Sequence, residues 1–278
     1  MKKRYIIAII VALAVIADLF VLLYPTVSDY FNSRTQSRVV TRYIDDVEKL
    51  NGDQAEAMLE AARAYNRDLL HKPDRFQFTD QETADYMQQL NTGRNVMGIL
   101  VIDKINVKLP IYHQTDESVL QVGLGHIPGT SLPVGGAGTH TFITGHRGLP
   151  SSTLLTDLDK MAEGDTFVLY VMGETLTYQV DQIQTVLPQE MEALDIDPTM
   201  DYCTLVTCTP YGVNDHRLLV RGRRVENATT LGWESLYADA DQMDKITMIG
   251  IFIAPILPVL IVLILIRYIK IHKKGKVQ

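Results

Sequence analysis

Two short segments of the 278-residue chain carry side chains that together could perform covalent catalysis. Cys208 ends an apolar, β-branched segment that starts at Tyr202 and predicts a buried strand. Turn residues at 209–212 stop this strand, and a strand pattern that contains Arg217 resumes at His216. The sequence therefore predicts a thiol and a guanidinium that face each other across one loop.

A cysteine needs help to act as a nucleophile near neutral pH, because only the thiolate attacks and its reference pKa is about 8.5. Arg217 is a permanent cation with a planar fork of donors, suited to a carbonyl oxygen that becomes an oxyanion. His146 stands at the tip of a strand predicted to end at Gly145, and it is the candidate proton shuttle. We therefore predict that His146, Cys208 and Arg217 are catalytic.

The chain has one other cysteine, Cys203. It lies five positions before Cys208 in the same predicted strand, which separates the two by about 16 Å of extended chain and points them to opposite faces. A disulfide needs Cα atoms within about 7 Å. We therefore expect Cys203 to be a small buried hydrophobe and Cys208 to be the reactive thiol.

The motifs around these residues resemble those of a known enzyme family, the sortases. The resemblance rests on Thr204-Leu-Val-Thr-Cys208, on Arg217 nine positions later and on Thr144-Gly-His146. The phrases at 125–133 and 208–212 resemble class C, the pilin-polymerising sortases of Gram-positive bacteria.

The resemblance spans roughly residues 96–225 and implies a mainly β fold, a closed eight-stranded barrel with an N-terminal helical hairpin and short peripheral helices. It implies a membrane-anchored cysteine transpeptidase that cleaves an LPXTG-like sorting signal after Thr through a thioester on Cys208. The implied partners are pilin subunits that carry this signal and an acceptor lysine, so that the product is an isopeptide-linked pilus. No cofactor is implied.

A loop at 71–80 is the candidate active-site lid. Class C sortases carry here an Asp-Pro-aromatic motif, whose acid meets the catalytic arginine and whose ring covers the cysteine. Asp74 and Phe76 match that spacing, but Arg75 stands where proline is usual. Without a fixed φ we expect the closed state to be less favoured. The alternative is a linker whose Phe76 and Phe78 pack on the barrel.

Two apolar runs, at 5–24 and 246–267, are each long enough to cross a hydrocarbon core of about 30 Å. Basic residues flank both runs on the sides away from the middle of the chain, which predicts that both termini are cytoplasmic. The catalytic domain is then extracellular. The first run can also be interpreted as a cleaved signal peptide.

The sequence also predicts the helices and domains that follow one another along the chain. A helix at 30–50 and a second at 53–70, opened by a capping box at 53–56, predict a hairpin packed on the barrel or a stalk. The predicted layout is a cytoplasmic N-terminus 1–4, transmembrane helix 5–24, helical hairpin or stalk 25–70, lid 71–80, catalytic barrel 81–225, juxtamembrane linker 226–245, transmembrane helix 246–267 and basic cytoplasmic tail 268–278.

Composition limits the other classes of function. The formal net charge is −7, and the basic ends leave the middle still more acidic, which argues against a nucleic-acid partner. An acidic surface fits a lysine-bearing partner and equally an ordinary soluble surface. The sequence has no EF-hand or phosphate-binding glycine motif, so no metal site is predicted.

Three alternatives to a pilin-polymerising sortase remain open. A housekeeping sortase would attach surface proteins to cell-wall peptide instead of to a pilin lysine. A papain-type hydrolase would need its cysteine upstream of its histidine, and here His146 precedes Cys208. A non-catalytic pilus-assembly binding module would keep the barrel without needing an intact Cys, His and Arg.

Overall fold

The structure is a computed structural model that describes residues 2–190, 194–227 and 267. Its compact unit begins at Asn32 and contains the barrel with the helices that cover it. The helices are α1 (Lys2–Glu48), α2 (Gly52–Leu70), α3 (Asp80–Gln88) and α4 (Glu117–Leu120). Short 3-10 helices lie at Asp103–Ile105 and Leu158–Lys160.

Eight strands close into a barrel, as the family resemblance implied. The strands are β1 (Val96–Ile102), β2 (Val107–His113), β3 (Leu124–His126), β4 (Thr139–Thr144), β5 (Thr166–Val171), β6 (Glu174–Val186), β7 (Asp201–Thr209) and β8 (His216–Val225). Their order around the barrel is β1-β2-β3-β4-β7-β8-β6-β5. The pairs β2–β3 and β4–β7 are parallel, and the other pairs are antiparallel.

Strand alternation on β7 separates the two cysteines. Cys203 and Leu205 are fully buried in the barrel core. Successive side chains of a strand point to opposite faces, so Val206 and Cys208 belong to the outer face. Both thiols are free, and Cys208 is partly exposed. The expectation that Cys203 is a buried hydrophobe is met.

The helices before the barrel are fastened to it by buried polar contacts. The hydroxyl of Tyr43 in α1 donates to the Met97 carbonyl at 3.0 Å and accepts from the Met172 amide at 3.1 Å. The side chain of Asn66 in α2 exchanges two hydrogen bonds with the backbone of Leu132, at 3.0 and 2.7 Å. Helix α2 is capped by Asn51 with Gln54, so the capping box predicted at 53–56 was wrong by two residues.

One helix among the described residues is long and apolar enough to cross a membrane, and it lies within α1 near the N-terminus. Helix α1 contains the predicted span at 5–24 and most of the predicted helix at 30–50, and it ends at Glu48 with Pro25 inside it. Apart from Arg267, the predicted second span and the tail at 268–278 lie outside the described residues, as does the linker beyond residue 227.

Candidate active site

Cys208 and Arg217 are direct partners in the antiparallel register of β7 and β8. Side chains in this relationship share a face of the sheet, with Cβ atoms about 4.5–5.5 Å apart. Nη1 of Arg217 donates to the carbonyls of Asn214 at 3.3 Å and His216 at 3.1 Å. These bonds hold the guanidinium at the end of the barrel where the thiol emerges.

His146 follows β4, the strand that pairs with β7 on the edge opposite to β8. The parallel pairing of β4 with β7 continues past the end of β4, because the Gly145 amide donates to the Val206 carbonyl at 3.1 Å. The Thr207 hydroxyl then donates to the Gly145 carbonyl at 2.8 Å. Extended by one more position, this register brings His146 level with Cys208. The three residues predicted to be catalytic therefore follow or end three adjacent strands, β4, β7 and β8, at one end of the barrel.

Packing explains why the residue before His146 is a glycine, Gly145. A Cβ at Gly145 would lie 2.6 Å from Cδ2 of Leu124 and 3.0 Å from Cδ1 of Leu155. The missing side chain lets these leucines pack against the backbone that presents the histidine. The same turn is fixed by the Leu155 amide, which donates to the His146 carbonyl at 3.2 Å.

Glu117 is a neighbour of His146 that the sequence analysis missed. Its Oε2 lies 3.4 Å from Nε2 of His146, in an electrostatic contact that does not have hydrogen-bond geometry. A hydrogen bond from Gln121 lowers the pKa of Glu117, and His146 lowers it further. Glu117 belongs to the separate helix α4, and no local motif links it to the histidine.

A small apolar cluster covers the outer face of the barrel next to the thiol. Its buried members are Phe142 of β4, Val206 of β7 and Leu219 of β8. The partly buried side chains of Ile127, Val186 and Leu194 pack against them. Val206 is two residues before Cys208 and on the same face of β7, so an extended peptide lying here would bring a carbonyl to the thiol.

The loop at 71–80 forms a turn, in which the Gln77 amide donates to the Asp74 carbonyl at 2.9 Å. The ring of Phe76 lies against Gly129, where a Cβ would come within 2.5 Å of Phe76 Cδ1. The guanidinium of Arg75 lies 5.0 Å from the centre of that ring. Phe76 remains 38% exposed, so its ring covers backbone without being enclosed.

Arg75 makes the firmest contacts of this loop. Its Nη2 donates to the Leu194 carbonyl at 2.7 Å and lies 3.7 Å from Oδ1 of Asp195. Arg75 therefore ties the loop to Leu194, a member of the apolar cluster. No hydrogen bond or ion pair between Asp74 and Arg217 occurs in the part of the chain that the structure describes. In the sequence Arg75 only marks the absence of the usual proline, and its contacts with Leu194 and Asp195 were not predicted.

The fold and this constellation match one family. The model of the sortase domain matches residues 100–225. Sortase C1 from Streptococcus agalactiae is 48% identical, with a TM-score of 0.67, and the match covers 69% of this chain and all of that one. The chain therefore belongs to the sortase family, and it is a sortase-type cysteine transpeptidase.

Two further solved structures place it within the family. Streptococcus pneumoniae sortase C, described with reference to its catalysis and pilin substrate specificity, is 42% identical, with a TM-score of 0.63 over 70% of this chain and 100% of that one. A lid mutant of sortase A from Corynebacterium diphtheriae is 44% identical, with a TM-score of 0.59, and the match covers 64% of this chain and 97% of that one. The class C resemblance predicted from the sequence is confirmed.

Proposed function

We propose that this sortase polymerises pilins: it cleaves an LPXTG-like sorting signal after Thr and joins the acyl group to a pilin lysine. The single observation that carries the proposal is that Cys208 pairs with Arg217 in the β7–β8 register and lies next to the strand end that leads into His146, beside an apolar cluster on the outer face of the barrel. The pilin specificity named for the Streptococcus pneumoniae relative supports the choice of substrate.

In the first step the Cys208 thiolate attacks the carbonyl carbon of the signal's Thr. Arg217 donates to the carbonyl oxygen as it gains negative charge. The bond between Thr and the following residue breaks, and His146 gives a proton to the departing amine. The product is a thioester between Thr and Cys208, and the C-terminal fragment leaves.

In the second step the Nε amine of a pilin lysine attacks the thioester carbonyl. His146 takes a proton from this amine, and Arg217 again donates to the oxyanion. The carbon–sulfur bond breaks, the isopeptide bond remains and Cys208 returns as thiolate. The two steps exchange one amide for another, so the reaction needs no oxidant and no cofactor.

The loop at 71–80 is proposed to be a lid that contains Asp74 and Phe76. The description of the Corynebacterium diphtheriae relative as a lid mutant supports a lid in this family. In this chain the loop is held through Arg75 to Leu194 and Asp195 and through Phe76 to Gly129. A loop fixed this way is tied to the apolar cluster at Leu194, and it must release these contacts before a sorting signal binds there.

The membrane arrangement is part of the proposal. The apolar run at 5–24 is proposed to anchor the protein and the run at 246–267 to cross the membrane a second time. The basic residues beyond each run keep both termini in the cytoplasm. The barrel is then extracellular, on the side of the membrane where pilins are assembled.

Incubation of the enzyme with a pilin that carries an LPXTG-like signal and with an acceptor pilin tests the proposal. A covalent ladder that depends on Cys208 is the expected result. Transfer to a cell-wall peptide amine without a ladder would identify a housekeeping sortase. Free pilin fragments alone would indicate a hydrolase, and the absence of any covalent change would indicate a binding module.

A further inference from the structure

A polar cavity adjoins the apolar cluster on the side away from Cys208. It has a volume of about 1140 Å³, and Val186 and Leu219 belong to the cluster and also line the cavity. Its floor is formed by Thr204 and Arg221, which are register partners on β7 and β8. The cavity is therefore an extension of the same barrel face.

The spacing along β7 indicates which part of a substrate reaches this cavity. An extended chain advances about 3.3 Å per residue. If the signal runs along β7 with its Thr at Cys208, the Leu three residues earlier lies about 10 Å back along the strand, between the levels of Val206 and Thr204. Residues that precede the Leu then lie over Thr204 and Tyr202, which line the cavity.

The charge of the cavity is negative. Glu190, Asp195 and Asp197 line it, and Asp195 is partly offset by Arg75. Arg221 is the one permanent cation among the described lining residues, and it is already paired with the carboxylate of Asp181 through two bonds of 3.0 Å.

The ring at the back of the cavity adds no positive charge. One nitrogen of His140 lies 2.7 Å from the Asp195 carbonyl, and the other lies 2.8 Å from the Thr204 hydroxyl. Burial lowers the pKa of His140 to about 4, so the ring is neutral at pH 7. Glutamine amides from β6 and the following loop complete the wall with donors and acceptors that suit a peptide backbone.

We propose that this cavity is a substrate subsite that binds roughly three residues immediately before the sorting motif and prefers Lys or Arg among them. The inference rests on the proposed function, because the register of the peptide is set by attack of Cys208 on the Thr carbonyl. It adds a selectivity for the segment upstream of the motif, which the site at Cys208 does not contact.

Three peptides test the proposal. They share one LPXTG-like motif and differ only in the two residues before the Leu, which are Lys-Lys, Ser-Ser or Glu-Glu. Binding of fluorescent peptides to the Cys208→Ala protein is measured by anisotropy, and kcat/KM for thioester formation is measured with the intact enzyme. We expect both measurements to favour Lys-Lys over Glu-Glu by at least about fivefold, less at high salt.

A triple variant removes the negative charges of the cavity lining and keeps side chains of nearly the same size and shape. Glu190→Gln, Asp195→Asn and Asp197→Asn together should reduce the Lys-Lys to Glu-Glu ratio to near one. An asparagine at 197 keeps the oxygen that accepts from the Thr199 amide at 2.8 Å, so the turn is preserved. The control, Asp103→Asn with Glu163→Gln, removes exposed carboxylates outside the cavity lining and should keep the ratio.

Equal binding of the three peptides by the Cys208→Ala protein would overturn the subsite, as would a preference that survives in the neutralised triple variant. Failure of the intact enzyme to form a thioester with any peptide would instead refute the proposed function. The binding measurement still decides the subsite in that case, because it does not depend on turnover.

Discussion

Cys208 and Arg217 are register partners across the β7–β8 ladder, although a loop separates them in sequence. The pairing selects this arginine over the other arginines of β8, since Arg221 is opposite Thr204 and Arg223 is opposite Tyr202. A one-residue slip would move the guanidinium to the other face of the sheet. Strand register therefore determines which cation can serve the thiol.

The first prediction concerns the shape of that cation. Arg217→Lys keeps the positive charge but removes the planar fork, so kcat/KM for thioester formation should fall at least about tenfold. Arg223→Lys is the control, because Arg223 is exposed and paired with Tyr202 far from the thiol. Wild-type turnover of the Arg217→Lys enzyme would remove Arg217 from the mechanism.

The second prediction concerns the lid. Phe76→Ala, alone or with Asp74→Ala, should speed alkylation of Cys208 by a bulky thiol reagent by roughly a few-fold, because the loop must open to admit it. The melting temperature should change little, since Phe76 is already 38% exposed. Gln77→Ala, an exposed change in the same turn, is the control. Alkylation of the double variant at the wild-type rate would make this loop an ordinary linker.

The third prediction separates Arg75 from Asp74. Arg75→Gln removes the charge that holds Asp195 and weakens the bond to the Leu194 carbonyl. We therefore expect faster alkylation of Cys208 in Arg75→Gln than in Asp74→Ala. The reverse order would show that the acid fastens the loop, as in the family's usual motif.

The fourth prediction concerns pH and stability. His126 is fully buried between the Tyr86 hydroxyl at 3.0 Å and the Ser131 carbonyl at 2.9 Å, and burial lowers its pKa to about 4. The unfolded chain therefore binds more protons than the folded one between the ordinary histidine pKa of about 6.5 and that value. The contribution of neutral, buried His126 to the free energy of unfolding is fully present above a pH of about 6.5 and is lost as the pH falls toward about 4.

Urea unfolding at pH 7.5 and pH 5 measures this loss. The free energy of unfolding should fall by about 1.4 kcal/mol per pH unit for each such histidine, and His140 adds a second contribution with the same sign. His126→Gln should reduce the slope, whereas His71→Gln, at an exposed position, should not. A slope unchanged in His126→Gln would contradict the account.

The strands that carry the site were predictable because their residues are apolar and β-branched at the right spacing. The strand predicted from Tyr202 to Cys208 matches β7 (Asp201–Thr209), and the strand predicted to resume at His216 matches β8 (His216–Val225). The three-residue strand β3 was not predicted from the sequence. A strand of three residues is too short to show an alternating pattern of apolar and polar residues. It forms because it pairs with β2 and β4.

The contacts that complete the site could not be predicted, because they join distant parts of the chain. Arg75 and Leu194 are 119 positions apart, and the arginine's partner is a backbone carbonyl with no side-chain signature. Glu117 approaches His146 only because β2, β3 and β4 bring their connecting segments to one end of the barrel. Motif spacing predicts residues within a strand pair, whereas loop-to-loop contacts depend on the closed barrel.

The most direct test of the central claim is mass spectrometry of the intact enzyme after mixing with a sorting-signal peptide. Wild type and Cys203→Ala should both gain the mass of the acyl fragment, because Cys203 is fully buried and its pKa is raised by burial. Cys208→Ala should gain none. An adduct on Cys208→Ala, or equal loss of the adduct in both variants, would contradict the assignment of Cys208 as the sole nucleophile.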